Sequence, residues 1–405
     1  MHVCVLGAGV VGLATAYAMT QAGHQVTVID RATPGAGTSG GNGAQLSYSY
    51  VQPLADPSIW RQLPKLLLAP DSPLKLRLQA DPQQWAWGLR FMQACKASTS
   101  LQTTTQLLAL ATTSRAAFDQ MMQAEQLDCD FAASGKLVIY SDAQAFGAAQ
   151  KQLVLQQALG SVQTAQTAME CVAIEPALQH YQAHIQGGIY TASECAVDSQ
   201  KLCDGLVAVL RRRGVQFLLQ TPVTGWVRQR AGRVVAVRTP QGEVAADTFV
   251  VAVGAQAPAL ARSLGVSLAI YPIKGYSITL DVSAQPDAAP TVSVTDAARK
   301  VVFARIGDRL RVAGMAELVG HGLDIAPARI ASLQASTAAL FPQTRGLAVQ
   351  NPWAGLRPAT PTGLPIVGRV TGAPANVLFN VGHGPLGLTL AFGTARKLVD
   401  SLLTI

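Results

Sequence analysis

A glycine-rich turn near the N-terminus constrains the fold of this chain more than any other feature. Residues 2–6 are typical of a short buried strand, and they lead directly into the sequence GAGVVG at residues 7–12. A helical pattern follows over residues 13–22, and residues 26–30 predict a second strand. A strand, a glycine turn, a helix and a strand within about 30 residues have the size of a βαβ mononucleotide-binding unit.

The spacing of the three glycines predicts a dinucleotide site. Gly7 permits a tight turn, Gly9 lets the backbone approach a pyrophosphate, and Gly12 lets the helix pack closely on the strand. The pyrophosphate then lies on a helix N-terminus, where free N–H groups and the helix dipole favour anions. Asp30, placed 18 residues after Gly12, is positioned to accept a hydrogen bond from a ribose hydroxyl. An acidic residue there argues against NADP, and it does not separate NAD from FAD.

Composition predicts a globular protein. Apolar residues make up 49% of the 405 residues and charged residues only 13%, the opposite of the balance in disordered chains. We expect a cytoplasmic protein, because no apolar run reaches the roughly 18 residues that span a bilayer and the first strand leaves no room for a signal peptide. The six cysteines lack C-x-x-C spacing, so we expect buried thiols, with no disulfide framework and no metal site.

The net charge of +8 is concentrated in part on one segment, residues 60–96. This segment interleaves basic residues with leucines, namely Arg61, Lys65, Lys75, Arg77, Arg90 and Lys96 with Leu63, Leu66, Leu67, Leu68, Leu74, Leu76 and Leu78. Such a segment either contacts a membrane surface peripherally or forms ordinary amphipathic helices packed on a domain. No basic cluster is interleaved with aromatic residues, so we expect no nucleic-acid partner.

Strands of the nucleotide-binding fold return late in the chain. A helix from an N-cap at Asp198 to residue 213 precedes short alternating strands over residues 223–245, which suit an antiparallel meander. Residues 249–253 form an apolar run that ends at Gly254 and suits a buried parallel strand. Residues 271–311 alternate in hydrophobicity and predict a larger antiparallel sheet. A chain that returns repeatedly to one nucleotide fold favours an embedded FAD.

A second glycine motif, GHGPLG at residues 382–387, precedes a C-terminal helix. Its N–H groups are expected to face the pyrimidine ring of a flavin. That ring gains negative charge on reduction, and a helix N-terminus stabilises such charge. This motif also favours FAD over NAD.

Eight stretches together resemble a known family. They are VCVLGAGVVGLATAYAMTQAGHQVTVID, TSGGNGAQLSYSY, GGIYTASECAVDSQKL, FVVAVGAQAPALA, YPIKGYSITL, LRVAGMAEL, GLRPATPTGLPIVGRV and FNVGHGPLGLTLAFGTARKL. In this order the chain resembles the D-amino acid dehydrogenase flavoproteins of the small-subunit type, within the D-amino acid oxidase, glycine oxidase and sarcosine oxidase superfamily. The fold expected is a mixed α/β one, in which a Rossmann-like FAD-binding domain (residues 1–60, 187–262 and 350–405) is interleaved with an antiparallel-sheet substrate domain (residues 61–186 and 263–349).

The resemblance also implies site residues. In such families the arginine of the GLRP segment, here Arg357, binds the substrate carboxylate, and a guanidinium fork suits that task. Tyr276 and Tyr50 are expected to line the pocket, with Tyr48 a weaker candidate, and His383 is expected to shape the flavin environment. Lys274 either approaches the flavin or is exposed. The candidate cofactor residues are Gly7, Gly9, Val10, Val11, Gly12, Asp30, Arg31, Thr38, Ser39, Asn42, Gly43, Gln45, Val223, Gly254, Gly382, His383, Gly384, Leu386 and Gly387.

The activity that the resemblance implies is FAD-dependent oxidation of a small amino acid, by hydride transfer from Cα to flavin N5. The imino acid then hydrolyses to an oxo acid, and a quinone or another carrier takes the electrons. The alternatives are an oxygen-using oxidase of the glycine or sarcosine oxidase type, a tRNA-modifying flavoenzyme, and a non-catalytic flavin subunit. The sequence does not decide which amino acid is oxidised, nor whether it is the D or the L isomer.

Overall fold

The computed structural model describes residues 1–51, 53–57, 74–158, 160–229 and 232–403. The α-helices in these ranges are α1 (Val10–Gln21), α2 (Pro82–Ala94), α3 (Ala97–Glu125), α4 (Ala143–Gln157), α5 (Ala168–Ile174), α6 (Ser199–Arg212), α7 (Ala257–Arg262), α8 (Pro327–Leu340) and α9 (Gly387–Leu403). The strands are β1 (His2–Leu6), β2 (Gln25–Ile29), β3 (Gln45–Leu46), β4 (Leu74–Leu76), β5 (Lys136–Tyr140), β6 (Thr164–Gln166), β7 (Gly187–Thr191), β8 (Cys195–Ala196), β9 (Gln216–Leu218), β10 (Gly225–Arg228), β11 (Val234–Thr239), β12 (Gly242–Ala245), β13 (Thr248–Val251), β14 (Tyr271–Asp281), β15 (Ser293–Asp296), β16 (Val301–Ile306), β17 (Arg309–Leu318), β18 (Val349–Ala359), β19 (Ile366–Gly368) and β20 (Val377–Val381). These elements form the predicted mixed α/β fold.

A six-stranded sheet in the order β19-β20-β13-β1-β2-β9 carries the N-terminal glycine motif. Its neighbouring strands are parallel except for the antiparallel pair of β19 with β20. Helix α1 begins at Val10 with Gly9 as its N-cap, three residues before the helix start that the sequence pattern predicted. Asp30 and Gly254 follow β2 and β13, so both lie at the carboxyl edge of the sheet. Ligands bind at this edge in open α/β sheets.

Both faces of this sheet are buried, as the continuous apolar strands predicted. Alternate residues of β1 enter two different cores, with Val5 packed in the cluster of Leu13 from α1 and Leu6 in the cluster of Phe249 from β13. Helix α1 packs against α9 and α6, so the two glycine motifs lie close together although the chain separates them widely. All six cysteines are buried and free, as expected.

A nine-stranded sheet forms the other half of the molecule, in the order β18-β14-β17-β16-β15-β5-β7-β6, with β4 paired to β17. The pairs from β18 to β15 are antiparallel, which confirms the antiparallel sheet predicted over residues 271–311. The meander predicted over residues 223–245 is the separate antiparallel sheet β10-β11-β12. Asp198 caps α6 as predicted and accepts hydrogen bonds from the backbone N–H of Gln200 and Lys201.

Two strands join a different sheet from the one that the predicted domain ranges imply. Strand β7 and most of β18 lie inside ranges assigned to FAD binding, yet β7 pairs with β5 and β18 pairs with β14 in the nine-stranded sheet. The chain therefore crosses from one sheet to the other after residues 187 and 350, the boundaries that the sequence predicted. The division into a FAD-binding and a substrate-binding domain stays a prediction.

The basic, leucine-rich segment is described only in part, and residues 58–73 lie outside the described residues. The alternative of amphipathic helices does not hold for residues 74–76, which form β4 and pair in parallel with residues 316–318 of β17. Helix α2 follows, capped by Asp81, and buries Trp87 while it exposes Trp85 and Leu89. Over the described ranges, no helix combines the length and apolar character needed to cross a membrane.

Candidate active site

A cavity of about 2330 Å³ separates the carboxyl edge of the six-stranded sheet from one face of the nine-stranded sheet. Ordinary ligand pockets measure roughly 300–1,000 Å³. A cavity of this size takes a dinucleotide together with a small substrate. Its walls include most residues that the sequence nominated.

The N-terminal glycine motif forms one end of the cavity. The turn is so tight that a Cβ at Gly12 would lie 1.9 Å from the carbonyl oxygen of Gly7. Asp30 accepts a hydrogen bond from the N–H of Ala8 at 2.6 Å, which holds the turn against the end of β2. Ser39 accepts from the N–H of Val10 at 3.0 Å, so its hydroxyl lies at the N-terminus of α1.

The loop over residues 38–45 crosses the cavity and is fixed to the nine-stranded sheet. Thr38 donates its hydroxyl to the carbonyl of Leu356 at 2.9 Å, and Ser277 donates to the carbonyl of Gly41 at 2.7 Å. Gly43 approaches β16 so closely that a Cβ would lie 2.9 Å from a methyl group of Val302. The loop is therefore held at both ends of its path across the sheet.

Most of the predicted residues share this cavity. The lining contains Gly7, Gly9, Val10, Val11, Asp30, Arg31, Thr38, Ser39, Asn42, Gly43, Gln45, Tyr50, Val223, Gly254, Tyr276, Arg357, His383, Gly384, Leu386 and Gly387. Gly12 and Gly382 are not part of it. Gly12 packs the helix on the turn, and Gly382, the first residue of the second glycine motif, has a positive φ of 84°. Both glycines therefore shape the backbone of the motifs, which for Gly12 is the packing role that the sequence predicts.

Arg357 extends from β18 into the cavity. Its guanidinium crosses β14 at Gly275 and donates to the carbonyl of Met315 on β17 at 2.7 Å. No carboxylate of the described residues pairs with this guanidinium. The side chain is surrounded by protein, although part of its surface faces the cavity. Burial lowers its pKa to about 10, so the guanidinium is charged at neutral pH.

Tyr276 lines the cavity, but its hydroxyl is engaged elsewhere. It donates to Glu317 at 2.9 Å, and Glu317 pairs with Arg329 at 2.6 Å. Lys274 is buried on the same face of β14, with its ammonium 5.2 Å from the centre of the Tyr276 ring and a hydrogen bond to the carbonyl of Asp324. Lys274 is therefore neither exposed nor part of the cavity lining, and the structure does not bring the Tyr276 hydroxyl together with Arg357.

A polar group that the sequence did not nominate lies against the cavity near Tyr50. Lys136 donates to the Ser47 hydroxyl at 2.8 Å, and its ammonium lies 4.5 Å from the centre of the Tyr50 ring. Glu194 lies close by and accepts from the N–H groups of Tyr48 and Ser49, both at 2.6 Å. Tyr48, the weaker candidate, is buried outside the cavity lining. A lysine at the start of a strand gives no sequence signal that it is buried.

His383 is buried beneath the second glycine motif. Its Nε2 shares a hydrogen bond with the Thr394 hydroxyl at 3.1 Å. Burial lowers the pKa of His383 to about 4, so the imidazole is neutral at physiological pH. A neutral imidazole in this position suits a role in shaping the cofactor environment.

The residues around the cavity fit the predicted FAD. The two glycine motifs present helix N-termini at the same cavity, one at Val10 and the other before α9. Asn380 also lines the cavity, and its buried amide oxygen has no hydrogen-bond partner among the described residues. A Cβ at Gly9 would lie 3.1 Å from the Ser39 hydroxyl. Its absence leaves this space free. The cavity therefore combines N–H donors at two helix N-termini, the free amide oxygen of Asn380 and a backbone that a ligand can approach closely at Gly9.

Comparisons with known proteins agree with this geometry. A family model described as DAO, FAD dependent oxidoreductase, matches residues 2–401. Two relatives named D-amino acid dehydrogenase 2 are 46% and 41% identical, the first from Ralstonia nicotianae (99% of this chain, 96% of the relative) and the second from Pseudomonas aeruginosa (99% and 94%). A glycine oxidase structure from Bacillus cereus superposes with a TM-score of 0.76 at 18% identity, covering 100% of this chain and 95% of that one. An L-proline dehydrogenase structure from P. horikoshii reaches 0.75 at 15% identity, covering 100% and 93%.

Proposed function

Because this chain belongs to the DAO family of FAD-dependent oxidoreductases, we propose that it is a dehydrogenase that deaminates a D-amino acid oxidatively. The substrate loses two electrons and two protons at the Cα–N bond and becomes an imino acid. Water then converts the imino acid to an oxo acid and ammonia. The D configuration is proposed from the names of the relatives. The amino acid substrate is proposed from Arg357, which suits a carboxylate.

The single observation that carries the proposal is the unpaired guanidinium of Arg357. Arg357 is half-buried, and a guanidinium that loses part of its hydration without a carboxylate partner is left with an uncompensated charge. Arg357 retains donors beyond the one used by Met315, and they face the cavity. A substrate carboxylate supplies the missing charge and accepts two parallel hydrogen bonds from the fork. This fixes the orientation of the Cα–H bond in the cavity.

Bound FAD supplies the two-electron acceptor for the hydride of Cα. The protein holds the cofactor with the two glycine motifs, Asp30 and the loop over residues 38–45, and it holds the substrate with Arg357. Tyr50 and the ring of Tyr276 supply apolar walls that exclude water. Positioning of this kind supplies a large part of the rate of a reaction between two bound groups.

No strong base is needed next to Cα. The amine lone pair assists loss of the hydride once the amine is neutral, and its proton leaves to solvent. His383 is a poor proton acceptor, because burial lowers its pKa to about 4 and Thr394 already binds its Nε2. We therefore assign His383 to the cofactor environment, and Arg357 to substrate binding.

Anaerobic bleaching of the bound flavin tests the proposal. The FAD-loaded protein is mixed with a panel of D- and L-amino acids, and the absorbance near 450 nm is followed in time. Several D-amino acids are expected to reduce the flavin faster than their L isomers. Reduction by L-amino acids alone contradicts the D assignment, and reduction by no amino acid contradicts the whole proposal.

We propose that a quinone or another carrier, instead of oxygen, takes the electrons. The names of the relatives are those of dehydrogenases, whereas the glycine oxidase likeness is one of fold. Turnover with a quinone analogue is expected to exceed turnover in air. Stoichiometric peroxide in air at the same rate would favour the oxidase alternative.

A peripheral membrane contact is proposed for the outer face of α2. Trp85, Leu89 and Met92 are spaced along one face of this helix and are 56%, 55% and 39% exposed. Arg90 of the same helix and Lys96, two residues after its end, are exposed cations that suit anionic lipid. The protein is expected to pellet with anionic vesicles. Pelleting should fall for Trp85→Ser with Leu89→Ser, and it should persist for Val162→Ser, a change at an exposed residue outside this helix. Absence of pelleting by the unmodified protein contradicts the contact.

A further inference from the structure

A second, smaller cavity lies beside the large one, where β4 joins the nine-stranded sheet, and shares Tyr276 with it. It measures about 260 Å³ and is enclosed by β4, the end of β17, residues 319–326 and the start of α8. We call it the basic pocket. Its charged lining consists of four cations and two carboxylates, namely Lys75, Arg77, Lys274, Arg329, Glu317 and Asp324. The excess of positive charge indicates an anionic ligand.

The strand register brings three of these charges into one row. Lys75 of β4 pairs with Glu317 of β17, and Glu317 pairs with Lys274 of β14. Residues paired directly across strands point to the same face of a sheet, with Cβ atoms about 4.5–5.5 Å apart. Glu317 already binds Arg329 at 2.6 Å and accepts the Tyr276 hydroxyl at 2.9 Å. The two lysines that flank it form no ion pair with a carboxylate of the described residues.

Two features distinguish the basic pocket from ordinary surface charge. Lys274 is only 5% exposed, and one of its three ammonium donors binds the carbonyl of Asp324. A buried ammonium favours an anionic partner, because burial removes its hydration. Helix α8 begins at the pocket with Ala326 as its N-cap, and no side chain caps this end. The free N–H groups of an uncapped helix N-terminus also attract anions.

Exposed apolar side chains surround the basic pocket. Leu78 follows Arg77 in the sequence, and Leu323 and Ile325 stand on either side of Asp324. These three apolar side chains are 57%, 54% and 40% exposed. Exposed apolar residues next to cations are typical of surfaces that lie on an anionic membrane.

The basic pocket is connected to the outer face of α2. Trp85 of that face donates its indole N–H to the carbonyl of Gln79 at 2.9 Å. The side chain of Gln79 donates in turn to the carbonyl of Val319 at 2.6 Å, and Val319 lines the pocket. The pocket and the apolar face of α2 therefore lie on one continuous surface.

We propose that the basic pocket binds the phosphate group of an anionic phospholipid, while the apolar residues around it enter the adjoining acyl layer. These apolar residues are Leu78, Trp85, Leu323 and Ile325. The inference rests on the membrane contact proposed for α2 and names the lipid that this contact recognises. The exposed cations Lys75 and Arg77 attract the headgroup, and Lys274 with the N-terminus of α8 binds its phosphate.

Vesicle binding by the FAD-loaded protein tests the proposal. Vesicles of phosphatidylcholine alone are compared with vesicles that also contain phosphatidylglycerol, and the bound fraction is measured by sedimentation. The unmodified protein is expected to bind the second kind at least about tenfold more tightly. Lys75→Gln with Arg77→Gln should remove most of this preference, because each cation at an anionic surface strengthens binding about fivefold. Lys274→Met should lower the preference by at least about fivefold.

A matched variant separates the basic pocket from diffuse positive charge. Arg396→Gln with Lys397→Gln removes the same two charges from exposed positions of α9. Its preference for phosphatidylglycerol should stay within about twofold of that of the unmodified protein. An equal loss in the two double variants overturns the proposal, because it assigns binding to net charge. Thermal unfolding and FAD content establish that the variants are folded, and the exposed pair Lys75 and Arg77 decides the outcome if Lys274→Met does not fold.

Two further measurements identify the ligand. Phosphatidylglycerol brominated in its acyl chains should quench the fluorescence of the unmodified protein, and the quenching should fall in Trp85→Phe. Quenching that is unchanged in Trp85→Phe contradicts insertion beside the basic pocket. Inorganic phosphate is also titrated while thermal unfolding is followed. Stabilisation by phosphate that Lys75→Gln with Arg77→Gln removes, without vesicle binding, assigns the pocket to free phosphate and overturns the lipid.

The outcomes distinguish this inference from the proposals on which it depends. Vesicle binding that no variant of the basic pocket weakens overturns the pocket and leaves the contact of α2 intact. Absence of vesicle binding by the unmodified protein removes both. No substrate is present in these measurements, so neither result bears on the oxidation of a D-amino acid.

Discussion

The guanidinium of Arg357 lies directly over Gly275, so that a Cβ at Gly275 would be 2.3 Å from Nη2 of Arg357. Glycine is the residue that lets the arginine cross β14 and reach Met315. Gly275→Ala should therefore displace the guanidinium and raise KM for the amino acid. A misplacement of about 1 Å costs on the order of 100-fold in rate, so kcat/KM should fall by about that factor. Steady-state kinetics with FAD-saturated enzyme measure this change.

Gly225→Ala is the control for this substitution. Gly225 also lies in a strand, but a Cβ there would meet only Arg238 at 4.0 Å. Its kcat/KM should remain within about twofold of the unmodified enzyme, since surface substitutions away from special features have small effects. If Gly275→Ala also stays within that range, Arg357 does not hold the substrate in the position described.

Cofactor retention depends on Gly12. A Cβ at this position would lie 1.9 Å from the carbonyl oxygen of Gly7, so Gly12→Ala should force α1 away from the turn. The N-terminus of α1 then no longer faces the pyrophosphate. The purified variant should have an absorbance ratio of 450 nm to 280 nm less than about a tenth of the normal one. Full FAD occupancy in a folded Gly12→Ala protein contradicts this role for the turn.

Tyr276 is expected to contribute its ring to the cavity wall, because its hydroxyl donates to Glu317. Tyr276→Phe should keep kcat/KM within a few-fold, whereas Tyr276→Ala should lose more than about tenfold through the missing wall. Removal of the hydroxyl leaves the buried Glu317 with one donor fewer, which costs roughly 1–3 kcal/mol of unfolding free energy. Thermal unfolding of the two variants measures that cost. A loss of activity in Tyr276→Phe as large as in Tyr276→Ala would instead assign chemistry to the hydroxyl.

Local patterns predicted much of the fold. The turn at Gly7 and Gly9, the cap at Asp198 and the strand pattern of residues 271–311 depend on neighbours in the sequence, and the structure contains all of them. The strand at residues 74–76 was missed because only its pairing with β17, more than 240 residues away, makes it a strand. Pairing partners of that kind leave no local signal.

The candidate site shows the same division. Arg357 and the glycine motifs stand in recognisable stretches, so the sequence nominated them. Lys136 begins a strand, where a lysine is usually exposed to solvent. Its burial depends on contact with Ser47, which is 89 residues away in the sequence. Asn380 was missed for a related reason. Its amide N–H donates to the Thr15 hydroxyl of α1, 365 residues away in the sequence, and its amide oxygen is left without a partner among the described residues.

Anaerobic flavin reduction by a D-amino acid in the unmodified protein, Arg357→Met and Arg396→Met tests the central claim most directly. Arg396 is 60% exposed on α9, so its variant controls for loss of an arginine. The unmodified protein and Arg396→Met should be bleached at the same rate, whereas Arg357→Met should need at least about 100-fold more substrate for that rate, as truncation of a buried charged partner costs several kcal/mol. Bleaching of Arg357→Met at the same substrate concentration and rate would contradict the account.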